Sequence, residues 1–171
     1  PSGELPMFCA DMLGRLDATI RKVDEAYREH RFSEVAQALY DFVWGDFCDR
    51  FIEAAKADFI TGAGSRREAT LAVMDYALSR ILRLLHPFTP FVTEELWMGL
   101  GFGSSIQLTG WPEPAGFTIR EECDAAFAAV SAARTARSNY NIASNQRLLW
   151  LLEAPTPWVH DELPPLTTLL N

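Results

Sequence analysis

The chain is short of cysteine, of positive charge and of long apolar runs. Its three cysteines, Cys9, Cys48 and Cys123, are odd in number, far apart and without CxxC spacing, which argues against a disulfide framework and against a zinc site. Buried free thiols are the expected state. No apolar stretch reaches the roughly 18 to 20 residues that span a bilayer, and PSGELPMF lacks the basic-then-apolar order of a signal peptide. A cytoplasmic protein with no membrane partner is therefore expected. The formal net charge of −8 gives no general attraction to polyanions and at first sight argues against nucleic acid as a partner, DNA included. There is no Gly-rich phosphate loop, no nucleophile elbow and no histidine pair at metal-ligand spacing, since His30, His86 and His160 fall in separate segments. Neither catalysis, a metal nor a cofactor is expected of these residues.

What is present is helical periodicity. With 171 residues and 49% hydrophobic side chains, the chain is long enough for one good core. Pro1 in place of an initiator Met suggests a piece of a larger protein. Residues 33 to 59 read as one long aromatic helix, with Val35, Leu39, Phe42, Val43, Phe47, Phe51 and Ala55 at three- and four-residue spacings, and Ser33 placed to cap its start. Before it, residues 7 to 30 carry Leu13, Leu16, Ile20, Val23 and Tyr27 on one face, and the short link His30-Arg31-Phe32 predicts an antiparallel αα-hairpin. Ser65-Arg66-Arg67-Glu68 matches a capping box ahead of a helix whose inward residues are Leu71, Met74, Leu78, Ile81 and Leu85, ending at His86-Pro87. Thr89 and Pro90 open a short helix to about Leu100, in which Glu94 and Glu95 read as first-turn carboxylates favoured by the helix dipole.

Residues 101 to 117 are loop-like, with a short strand suggested at Ile106 to Thr109. A fourth long helix, from Thr118 to about Asn139, is Ala-rich, with Ala126, Phe127, Val130 and Ala133 inward. The apolar run Leu148 to Leu152 reads as a buried strand, and Trp158 to Leu170 as a helix broken at Pro164-Pro165. The fold class is thus all-α, a helical bundle over residues 7–141, with a strand-and-helix appendage over residues 142–171.

Although the total charge is acidic, the arginines cluster as Arg66 with Arg67, Arg80 with Arg83, and Arg134 with Arg137. Arg134 and Arg137 continue the series of Phe127 and Val130 towards Tyr140, and a guanidinium held beside an aromatic ring can pair with phosphates and stack on bases. Asp46, Asp49 and Arg50 form a polar ridge on the central helix, for which ordinary ion pairing is the competing explanation.

ALYDFVWGDFCDRFIEAAK, LRLLHPFTPFVTEELW and LTGWPEP, together with Leu13-Gly14-Arg15-Leu16, closely resemble the anticodon-binding domain of bacterial valyl-tRNA synthetases. The HPFTPFVTEELW segment is similar across valyl, isoleucyl and leucyl enzymes, whereas FVWGDFCD points to valyl. The resemblance implies a helical bundle that docks on the anticodon stem-loop of tRNA(Val), next to a catalytic domain of the same chain that uses ATP. The His-x-Gly-His and Lys-Met-Ser-Lys-Ser signatures of that domain are absent from these residues, so this portion is expected to bind without aminoacylating. The tRNA-binding candidates are Arg80, Arg83, Arg134, Arg137, Asp46, Asp49 and Arg50. Arg50 stands where the family usually has an aromatic residue, Ala143-Ser144 where it has a proline pair, and the acidic residue that commonly follows Arg-x-x-Arg is replaced near Asn139. The alternatives are an isoleucyl or leucyl counterpart and a helical protein–protein interaction module.

Overall fold

The computed structural model describes residues 5–60, 64–143, 146, 148–150 and 162–170. The described residues are all-α. Helix α1 is Met7–Arg28, α2 is Phe32–Asp41, a π-helical segment covers Phe42–Ile52, and α3 is Glu53–Ile60. They are followed by α4 at Ser65–Leu85, α5 at Pro90–Gly99, α6 at Glu121–Asn139 and α7 at Leu163–Leu170. The α2, π and α3 segments form one unbroken helix, as the apolar period predicts. Its middle is wound in the wider i→i+5 register, and the buried rings Phe42, Phe47 and Phe51 follow that register with spacings of five and four.

The main core lies between α1, this long helix and α4. Leu16, Ile20, Val23, Val35, Leu39 and Phe42 are all within 2% of complete burial, and α1 packs on α2, the π segment and α4. The predicted αα-hairpin is present. Its link is closed by the left-handed His30 (φ +59°), with Arg31 N–H donating to Ala26 O and His30 N–H to Tyr27 O, which satisfies two carbonyls the helix end would leave open. Asn141 and Gly101 end α6 and α5 in the same way.

Several local expectations are corrected. Arg31, not Ser33, holds the N-cap position of α2, and Gly64 holds that of α4, so Ser65 is already helical and no side chain caps either helix. Pro90 sits in the first turn of α5 as expected, but Thr89 Oγ1 donates back to Leu85 O instead of capping. Glu94 and Glu95 lie beyond that first turn, where Glu94 accepts the Ile106 N–H at 3.1 Å. The buried ridge of α4 is Thr70, Val73, Ala77, Ile81 and Leu84. It is displaced by one position from the predicted ridge, apart from Ile81, and Leu71 is exposed.

Ile106–Leu108 is a single 3-10 turn, not a strand. Ser105 Oγ accepts Gln107 N–H and Thr109 Oγ1 donates to Ile106 O, so local side chains take the groups a strand would need. The strand expected from Leu148 is also absent at 148–150, where Leu149 is fully exposed and no neighbouring strand exists among the described residues; Leu151 and Leu152 lie outside them. Pro164 and Pro165 begin α7 and do not break it, because first-turn N–H groups have no intrahelical acceptor to lose. Trp158 to Asp161 lie outside the described residues. Leu166 and Leu169 of α7 are buried in a second cluster with Phe8, Ala54, Cys123, Ala126 and Val130.

A strap, residues 110–120, descends along α1 and is captured by three aspartates of one helix face. Asp24 Oδ1 accepts the Trp111 indole N–H at 2.7 Å, Asp17 Oδ2 accepts Gly116 and Phe117 N–H at 2.7 and 2.8 Å, and Asp11 Oδ1 accepts Arg120 N–H at 3.0 Å. Between them Gly14 touches the strap so closely that a Cβ would stand 2.3 Å from the Thr118 carbonyl. Gly14→Ala is therefore expected to destabilise the fold by about 1–3 kcal/mol, read as a lower midpoint in urea unfolding with an unchanged m-value.

Candidate nucleic-acid interface

The seven polar residues singled out from sequence fall into two sets. In the first, side chains are committed to holding helices together. Arg15 of α1 bonds Asp11 at 2.7 Å, Asp46 at 3.2 Å and Asp124 at 2.6 Å, and Arg50 shares Asp124 at 2.7 Å. This node ties α1, the π segment and α6. Arg50 also lies over the Phe127 ring, with its Cζ 4.3 Å from the centroid, so a flat cation fills the place of the aromatic residue that the resemblance led us to expect there. For Asp46 and Arg50 the ion-pair reading made from sequence therefore holds.

Burial pushes the Asp46 carboxyl up, with Arg15 and Arg50 pulling the other way. The Arg50 hydrogen bond, helped by Arg15, holds the more exposed Asp124 below the usual carboxylate range. Arg15 itself is raised: burial works against its charge, but the bond to Asp11 and the charges of Asp11, Asp46 and Asp124 together outweigh that cost.

Arg137 belongs to the same set. It is buried, and its Nη2 donates to Ala143 O at 2.7 Å and Gln146 O at 2.8 Å, pinning the chain that leaves α6. Arg134 is exposed but donates to Leu169 O at 3.1 Å, near the C-terminal end of α7 where a cation is favoured. The pair therefore does not act as one cationic patch; one guanidinium faces a loop and the other a helix end.

The second set makes no ion pair among the described residues. Asp49 is exposed. Arg80 lies flat on Tyr76, its Cζ 3.2 Å from the ring centroid, and Arg83 donates to Ser79 O and, at 3.0 Å, to Gly110 O of the strap. Burial lowers the Arg83 pKa and the neighbouring Arg80 charge lowers it further. Beside the strap, Trp111, Phe32 and Phe88 surround Tyr27 with ring centroids 5.5, 5.9 and 6.4 Å away.

Sequence reasoning missed Arg15, the hub of the node, and the exposed stacked pair Tyr40 and Trp44. These rings are each 61% exposed, with centroids 6.2 Å apart and planes within 16°. Their i,i+4 spacing was visible, yet the apolar series through Phe42, Phe47 and Phe51 took the helix's aromatic character and neither ring was singled out. No group of three or more His, Cys, Asp or Glu side chains able to hold a metal occurs among the described residues, and none of their helices is long and apolar enough to cross a membrane.

Fold and surface together define a class, the all-α bundles whose arginines and aromatic rings are carried on helix faces and a short strap. The chain belongs to a particular family of that class, the anticodon-binding domain of tRNA ligases, which it matches over residues 10–152. It is similar to the valine–tRNA ligase of Bacillus licheniformis, at 34% identity over 95% of this chain and 19% of the relative. It is also similar to that of Nocardia farcinica, at 38% over 85% and 17%, and to that of Staphylococcus aureus strain JH9, at 40% over 71% and 14%. The chain thus spans less than a fifth of the length of these curated relatives.

The ionic node makes a pH prediction. Because its folded pKa is depressed, Asp124 contributes stability that is present above its ordinary value of 3.8 and is lost as pH falls through the lower folded value. Asp46, with a raised pKa, has the opposite sign. Asp124→Asn is expected to lower stability at pH 7 by less than about 1 kcal/mol, as suits a half-exposed partner. The difference from the unsubstituted chain should vanish in strong acid, as measured by urea unfolding across pH.

Proposed function

We propose that this chain is the anticodon-binding part of a cytoplasmic valine–tRNA ligase, and that it holds the anticodon arm of tRNA(Val) while a catalytic domain of the same polypeptide carries out ATP-dependent aminoacylation. In this reading the chain supplies no catalytic group and no cofactor site, and neither DNA nor membrane is a partner. The observation that carries the proposal is that valine–tRNA ligases from three organisms match at 34–40% identity across 71–95% of the chain.

The geometry supports a division of labour. Direct RNA contact is assigned to the residues outside the ion pairs, Asp49, Arg80, Arg83 and Arg134, with Tyr40 and Trp44 as a stacking surface for unpaired bases. Asp46, Arg50 and Arg137 act by positioning the helices and the loop that carry them. The catalytic domain is assigned to the apolar face of α5, where Phe91 is 90% exposed beside Val92 and Leu96; so large an unpartnered ring on a short helix fits an interdomain contact.

A titration of the chain with the valine anticodon stem-loop, and with the same loop carrying an isoleucine or leucine anticodon, tests this. Binding that weakens with salt and prefers the valine loop is expected. Equal affinity for all loops would favour a sibling ligase or a nonspecific surface. No binding to any of them would remove the RNA-binding reading and leave the protein–protein module.

A further inference from the structure

We infer that Arg80 and Arg83, braced by the strap at Gly110, form a phosphodiester site that sets the register of bound RNA without reading its bases. This rests on the RNA-binding reading above and adds to it the chemical group that the pair takes.

Three observations carry it. First, the two guanidiniums have only neutral partners. Arg80 Nη1 donates to Tyr76 O at 3.3 Å and to Ser79 Oγ at 3.5 Å, while Arg83 donates to Ser79 O at 3.3 Å and Gly110 O at 3.0 Å. No carboxylate lies within 4 Å of either among the described residues, whereas Arg15, Arg31, Arg50 and Arg66 each rest on one or more. In a chain of net charge −8, two neighbouring cations left without acids form a local positive site of the kind a phosphate fills.

Second, donors remain. The bonds above use Nη1 of Arg80 and Nε and Nη1 of Arg83, so that among the described residues Nη2 of both arginines has no protein acceptor. Third, the pair is held in place. Tyr76 lies under Arg80, and Gly110, which holds Arg83, begins the strap that Asp24 and Asp17 fasten to α1. A guanidinium already immobilised loses little rotamer freedom on binding, and its fork matches the oxygens of a phosphate. Phosphate contacts fix register and carry no sequence information.

The test compares the chain with Arg80→Gln/Arg83→Gln and Arg80→Lys/Arg83→Lys, by titrating the valine anticodon stem-loop and a mismatched loop over a range of salt concentrations. The glutamine variant is expected to lose about tenfold in affinity for both loops alike, and its plot of log K against log salt to flatten by about one to two units. The ratio between the loops should stay as it was, and the lysine variant should keep the wild-type slope. Unchanged affinity and slope in a folded glutamine variant would overturn the inference while leaving the RNA-binding reading intact, and so would a collapse of the ratio between loops. If the unsubstituted chain binds neither loop, both readings fall. Saturable binding of inorganic phosphate that the glutamine substitutions abolish, with loop affinity left unchanged by them, would assign the site to free phosphate and overturn the inference.

Discussion

The structure depends on a row of carboxylates along one face of α1. Asp24, Asp17 and Asp11 take N–H groups from a strap roughly a hundred residues further along the chain, and Gly14 lets the two backbones touch. Asp17 is 1% exposed; its Oδ2 takes both strap amides, with the Arg21 guanidinium 3.8 Å away, while its Oδ1 is buried without a hydrogen-bond partner among the described residues. This row fixes where α6 begins, since Arg120 at its N-cap position is bonded to Asp11. It also places Trp111 and Gly110 beside α4, and hence the arginines there.

The buried and half-buried acids at these contacts are used on the chain's own cations and amides. Arg15 and Arg50 are absorbed by Asp11, Asp46 and Asp124. Arg66 is absorbed by Asp58 and by Glu162, which also accepts Met7 N–H and so joins α7 to the start of α1. What remains outside these nodes is a small number of cations with neutral partners, among them Arg80 and Arg83. The same burial that builds the nodes pushes the Cys9 thiol up to about 11 and raises that of Cys123 as well, while Cys48, expected to be buried, is only half-buried.

The helices were legible because a stripe of apolar residues at period 3.6 survives errors of a residue or two. The details lost were those in which one position matters. Ser33 and Ser65 lie one residue or more inside their helices, and α4 is apolar over so much of its surface that Leu71, Met74 and Leu78 compete with the true ridge at Thr70, Val73 and Ala77. The π segment left a trace in the five-residue step from Phe42 to Phe47, yet Val43 supplied an α-helical alternative. The strap's capture left no local signal at all, since Asp11, Asp17 and Asp24 look like the solvent face of an amphipathic helix until the strap is folded onto them. The contacts of Arg137 were not legible either, since its acceptors are backbone carbonyls, which sequence does not reveal.

The arginines thus divide into those that hold the bundle together and those outside its ion pairs, and it is to the second group that the proposal above gives RNA. That division is tested most directly by following the arginine Nε–Hε and tryptophan indole resonances of the chain while the valine anticodon stem-loop is added. The account predicts saturable shifts at Arg80, Arg83 and the Trp111 and Trp44 indoles, with Arg15, Arg50 and Arg137 unmoved. Shifts concentrated at Arg15, Arg50 and Arg137, with Arg80 and Arg83 silent, would contradict it.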